Sequence, residues 1–109
     1  FFGPVPVTRP LNAEEVAADY EGNTGRVIVE RFANLNPLEM PAVLVAGHAP
    51  FTWGTTPRGS LHHSVALEAV AEMAMGTVQI NPNALFLEPY VLDKHYQRKH
   101  GPAAYYGQK

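Results

Sequence analysis

The 109-residue sequence contains no cysteine, which excludes a disulfide scaffold and any CxxC motif. Charge is sparse as well, at 17% of residues, with eight basic side chains against ten acidic ones. A net charge of −2 lacks the basic excess that nucleic-acid binding demands, so no nucleic-acid partner is expected. No apolar run approaches the roughly 20 residues that cross a bilayer. No signal-peptide pattern is present either, so a cytoplasmic protein without a membrane partner is expected. Also missing are a Gly-rich phosphate loop, a serine nucleophile elbow and an HExxH helix. What remains is 46% apolar, enough for one packed domain and too hydrophobic for intrinsic disorder. The chain opens Phe1-Phe2-Gly3 without an initiator Met, as though it were entered midway.

Local signals divide the chain. Pro4, Pro6 and Pro10 hold the first ten residues extended, because each ring fixes φ and disfavours helix at the residue before it. Asn12 followed by Glu15 is a capping-box pair that opens a helix. Gly22-Asn23 and Gly25 are expected to end that helix, and the β-branched run Arg26–Glu30 reads as a strand. After a turn-rich segment from Asn34 to Pro41, Ala42–Ala46 reads as a second strand. Its unbroken apolar run points to burial on both faces. A loop, Gly47–Gly54, leads towards a long helix from about Ser60, whose apolar positions Leu67, Val70, Ala71, Ala74 and Val78 recur at helical spacing. Asn81-Pro82-Asn83 breaks it. A last helix starts near Pro89 and stops at Gly101-Pro102. Two or three strands with about three helices make a mixed α/β arrangement, small enough to be part of a larger layered domain.

Charge is uneven along the chain. Residues 1–92 carry four arginines and nine acids, a balance of −5. Residues 93–109 carry four cations against Asp93, a balance of +3. Two readings are open: cations complementing a helix C-terminus, or a short segment that meets an anion such as a phosphate.

Five histidines stand out in a chain this short. His48 follows a buried strand, where α/β folds place ligands, and Gly47 and Ala49 leave its imidazole little shielded. Such a histidine suits a metal ligand or a general base, although no second ligand lies at short spacing. His62 and His63 are adjacent on a helix and point about 100° apart, so one is expected to face inward and one outward. His95 and Arg98, at i and i+3, share a helix face that can grip a phosphate or remain solvated. Tyr105 and Tyr106 close the chain, as packing anchors or as a phenol acting in acid–base catalysis.

The segment Leu44-Val45-Ala46-Gly47-His48-Ala49-Pro50-Phe51-Thr52-Trp53-Gly54 resembles the strand and histidine loop of the class II aldolase/epimerase family. Val5-Pro6-Val7-Thr8-Arg9 and the helix Ala66–Ala71 are similar to that family as well. The ending, Leu92-Asp93-Lys94-His95-Tyr96 through Arg98-Lys99-His100-Gly101 to Ala104-Tyr105-Tyr106-Gly107-Gln108, resembles the L-ribulose-5-phosphate 4-epimerase branch.

This resemblance implies a three-layer α/β/α fold, of which residues 1–109 form the C-terminal half of a single domain. It implies a divalent metal, usually zinc, held by three histidines with His48 the last of them. Tyr106 takes the place of a catalytic tyrosine contributed across a subunit boundary. His95 and Arg98 take substrate-binding places near the neighbouring subunit's site. The other two ligands and a catalytic Asp are expected upstream of Phe1, in an N-terminal half that acts as partner, and the assembly is expected to be a homotetramer. The implied substrate is a phosphorylated ketopentose, with L-ribulose 5-phosphate and D-xylulose 5-phosphate interconverted by retro-aldol cleavage and re-addition at C3–C4. A sugar-phosphate aldolase and a non-catalytic packing or assembly module are the alternatives. The isolated 109-residue piece is expected to be inactive.

Overall fold

A computed structural model describes residues 1–106; Gly107, Gln108 and Lys109, which close the epimerase-like ending and the basic segment, lie outside the described residues. The elements run α1 (Ala13–Arg31), β1 (Ala42–Leu44), β2 (Pro50–Thr52), α2 (Pro57–Ile80) and α3 (Pro89–His100).

α1 starts as the capping box requires. The Glu15 amide donates to the Asn12 side chain and the Glu15 carboxylate accepts from the Asn12 amide, both at 2.9 Å. The helix does not end at the glycines. It kinks at Asp19, whose backbone leaves the helical region, and then resumes. The Asp19 carboxylate accepts from the Gly22 amide at 3.2 Å, so Asp19 serves as an internal N-cap for the second segment. A Cβ at Gly22 would collide with that carboxylate where it caps, so a side chain there would displace the cap.

The strand expected at Arg26–Glu30 is therefore a correction: these residues are helical. Exposure explains why. In a strand Val27 and Val29 would share one face. Here Val27 is 1% exposed and Val29 73%, while Asn23 and Thr24 are buried on the Val27 side. Burying one helical face overrides the β-preference of the branched side chains.

The expected Ala42–Ala46 strand is shorter, and its expected burial throughout is corrected: Ala42 and Val43 are fully buried, but Leu44 is exposed because the groove beside α2 leaves it open. Its partner is a strand where a loop was expected. Pro50–Thr52 pairs antiparallel with β1 in the register Ala42↔Thr52, Val43↔Phe51 and Leu44↔Pro50. On the other edge Val7 bridges Leu44 in parallel. The Thr8 amide donates to the Leu44 carbonyl at 3.0 Å, and the Leu44 amide to the Pro6 carbonyl at 2.9 Å. Thr8 is buried, and its hydroxyl accepts from the Ala46 amide at 3.2 Å.

α2 begins at Pro57, three residues before the expected start, with Thr56 capping through a bond from the Gly59 amide at 3.0 Å. It packs across both strands. Of the five residues expected to face a core, Leu67 alone is buried. Leu67, Val70, Ala71 and Ala74 instead line an open apolar groove of about 480 Å³ shared with Phe1, Leu44 and Phe86. α3 runs between the expected start and stop. The result is a mixed helix–strand fold with three helices and a two-stranded sheet among the described residues. No described helix is long and apolar enough to cross a membrane.

Candidate functional site

β1 and β2 form a hairpin, and His48 sits at its tip. The His48 amide donates to the Val45 carbonyl at 3.0 Å, closing a four-residue turn with Gly47 in third place at φ +72°. A left-handed residue there is what a type II turn needs, which is why glycine precedes the histidine. The His48 imidazole is exposed and stacks on Phe51, with ring centroids 5.5 Å apart. Tyr20 lies 6.0 Å away on the recapped half of α1. Together they border a cleft of about 230 Å³ with Glu21, Thr24, Gly25 and Ile28. Tyr20, Glu21 and Phe51 were not legible as neighbours of His48. Finding them required knowing that α1 continues past Gly22 and that residues 50–52 are a strand.

The segment behind the hairpin is firmly held. The Trp53 indole N–H donates to the Pro37 carbonyl at 2.8 Å, its amide to the Pro41 carbonyl at 3.2 Å, and its ring meets Phe32 edge-on. The Trp53 carbonyl lies 2.6 Å from His63 Nδ1. His63 is the half-buried one and His62 the exposed one, in keeping with the different directions expected of adjacent helical residues.

A second cluster forms at the end of α3. Gly101 caps the helix through its amide to the Gln97 carbonyl at 2.8 Å. Beyond Pro102 the chain doubles back, and the amides of Tyr105 and Tyr106 both donate to the Arg98 carbonyl, at 3.1 and 3.0 Å. The Arg98 guanidinium lies 4.4 Å from the Tyr106 ring centroid and Lys99 Nζ 5.6 Å from it, while Lys94 Nζ lies 5.7 Å from the Tyr105 ring. A cleft of about 410 Å³ opens beside them, lined by Lys94, Gln97, Arg98 and Tyr105 among others. His95 is exposed on α3 and does not line that cleft. On the inner side of α3, Tyr96 packs on Phe2, with centroids 4.8 Å apart. Burial, and then the charge of Glu39, push its phenol above the usual tyrosine range.

Arg98 and Tyr106 are thus brought together. The His48 cleft and the Arg98 cleft share no lining residue. His48 fits as one ligand of a metal, being an exposed imidazole on a hydrogen-bonded turn. Among the described residues no three His, Cys, Asp or Glu side chains converge to hold an ion. One imidazole does not make a tetrahedral site, which needs three or four protein ligands.

Residues 1–75 match the family model of the class II aldolase and adducin N-terminal domain. The match takes in α1, the hairpin with His48 and most of α2, and it ends before α3, so Arg98 and Tyr106 lie beyond it. The likeness of residues 44–54 to that family is upheld at family level. Spanning well over half of the sequence, this match shows that the chain belongs to the class II aldolase and adducin N-terminal domain family.

Proposed function

We propose that this chain contributes to an enzyme that epimerises L-ribulose 5-phosphate to D-xylulose 5-phosphate. The observation that carries the reading is Tyr106, held past the end of α3 with Arg98 and Lys99 both near its ring, and 55% exposed. A phenol placed this way can pass a proton to or from a substrate oxygen in a cationic setting that also suits a phosphate ester.

Cleaving C3–C4 leaves the bonding pair on the ketone fragment as its enediolate, and requires the proton to leave the C4 hydroxyl as the C4 aldehyde forms. The aldehyde fragment then turns, and the bond re-forms on its other face. The C4 oxygen must regain a proton there, so the two directions call for proton carriers on opposite faces. Tyr106 is one of them in this reading. His48 is one ligand of a divalent metal, zinc in the first instance, and the remaining ligands come from outside the described residues. Because the ligand set is incomplete here, no step is assigned to the metal. The exposed apolar positions of α2, Ile80 at 88% among them, support assembly into a homo-oligomer, a tetramer in this reading.

The assembled holoenzyme carrying Tyr106→Phe provides the test. Turnover of L-ribulose 5-phosphate should fall about 10²- to 10⁴-fold, the usual contribution of a positioned proton carrier, with bound metal unchanged. Full turnover in that variant would remove Tyr106 from the chemistry. Release of free aldehyde without epimerised product would favour a sugar-phosphate aldolase instead. The 109-residue chain alone, with one imidazole for a metal, is expected to show no turnover.

A further inference from the structure

The family resemblance implies a substrate-binding place for Arg98, and its position on α3 leaves a phosphate grip or a solvated face open. Its surroundings point elsewhere. Three features of the α3 terminus converge on this one residue. Its carbonyl, left without a helical partner by the end of α3, accepts the amides of both Tyr105 and Tyr106. Its guanidinium lies against the Tyr106 ring, 4.4 Å from carbon Cζ to the centroid. Its Nε is buried and has no hydrogen-bond partner among the described residues.

The buried Nε bears on the role. A guanidinium recognises phosphate best by presenting two parallel N–H groups, and the Nε–H is one edge of that fork. Here that edge is shut off from solvent. What the planar cation does have is an aromatic face, the arrangement in which a guanidinium is attracted to a ring. The turn that brings the ring there is built into the sequence. Gly101 lets the chain pass close to Gln97, where a Cβ would come within 2.6 Å of the Gln97 carbonyl oxygen. The Ala104 amide then closes on the Gly101 carbonyl at 3.1 Å and delivers Tyr105 and Tyr106 back onto Arg98.

We infer that Arg98 is the positioning residue for Tyr106: its carbonyl anchors the returning backbone and its guanidinium fixes the plane of the ring. The inference rests on the reading of Tyr106 as a proton carrier, and it gives Arg98 a role other than gripping phosphate through its Nε edge. A misplacement of about 1 Å in a catalytic group can slow a reaction by around 10²-fold. Lysine cannot replace arginine fully, since an ammonium keeps the charge and loses the planar stacking.

The test uses the assembled holoenzyme with Arg98→Ala, Arg98→Lys, Tyr106→Phe and the Arg98→Ala/Tyr106→Phe double variant. For Arg98→Ala, kcat should fall roughly 10- to 100-fold while KM for the sugar phosphate stays within about twofold. Arg98→Lys should recover part of the loss. In the Tyr106→Phe background, Arg98→Ala should cost less than about twofold more, because there is no longer a hydroxyl to position. A tenfold rise in KM with kcat retained would show that Arg98 holds the substrate, and would overturn the inference. So would losses that multiply fully in the double variant.

A second measurement separates this inference from the reading beneath it. In NMR spectra of the protein, the Arg98 side-chain protons should be shifted upfield by the Tyr106 ring, and Tyr106→Leu should abolish the shift. Absence of the shift in the unsubstituted protein would overturn the positioning itself. If the shift is present but Tyr106→Phe leaves kcat unchanged, the proton-carrier reading fails and Arg98 loses its catalytic consequence with it.

Discussion

Replacing Gly47 with alanine isolates the physical basis of the turn that presents His48. Gly47 has φ +72°, and a Cβ built there would meet no other atom within 4 Å. Steric collision therefore contributes nothing, and the penalty is purely that of the backbone. Holding an L-residue in the left-handed region costs about 1–2 kcal/mol. Alanine also narrows the unfolded ensemble, which returns about 0.4–1 kcal/mol. The net expectation is a loss of about 1 kcal/mol. Gly76 in α2 supplies the control, since a Cβ there also meets nothing, but its backbone is helical. Gly76→Ala should gain about 0.5–1 kcal/mol. Two chemically identical substitutions into open space are thus expected to have opposite signs. Urea unfolding followed by far-ultraviolet circular dichroism at fixed pH reads both. With a denaturant slope of about 1–3 kcal/mol/M, the midpoints should move on the order of 0.5 M in opposite directions. Gly47→Asn should lose less than Gly47→Ala, because asparagine tolerates the left-handed region. A stabilised Gly47→Ala, or an asparagine variant weaker than the alanine one, would refute the turn geometry and with it the placing of His48.

Two further outcomes follow from the cap and the core. The Arg9 guanidinium at 2.8 Å, aided by the Asn12 amide, pulls the Glu15 carboxyl down from 4.5 to about 2. Its folded pKa lies below its unfolded one, so the unfolded chain binds the extra proton, and stability present above about pH 4.5 is lost as pH falls towards 2. Glu15→Gln should therefore show a shallower fall of melting temperature between pH 5 and 2.5, and parallel curves for the two proteins would refute this coupling. Val43 on β1, the strand between the Val7 segment and β2, is fully buried, so Val43→Ala should cost about 2 kcal/mol through lost transfer energy and a residual cavity. A change under about 0.5 kcal/mol in chemical denaturation would mean that the site collapses freely and is not part of the packed core.

What the sequence determined by itself are the features governed by neighbours along the chain. The Asn12–Glu15 capping box, the start of α3 at Pro89 and its stop at Gly101 all depend on hydrogen bonds or backbone limits within a few residues. That one of His62 and His63 faces inward and the other outward follows from helical rotation, whereas packing decided that His63 is the inner one. Residues 26–30 were decided by tertiary structure instead. Their branched side chains favour a strand, but Asp19 recaps the helix and burial of Asn23, Thr24 and Val27 on one face holds it. Residues 50–52 became a strand only because β1 offered a partner in register. The same division runs through the site. Gly47-His48 is visible as a turn in sequence, whereas its cleft with Tyr20 and Glu21 exists because α1 continues beyond Gly22. Arg98 and Tyr106 stand eight positions apart, and charge and spacing left open whether the arginine meets an anion or stays solvated. Only the doubling-back of the chain onto a free helix-end carbonyl places the cation under the ring, because that contact depends on a turn whose direction no local charge pattern encodes.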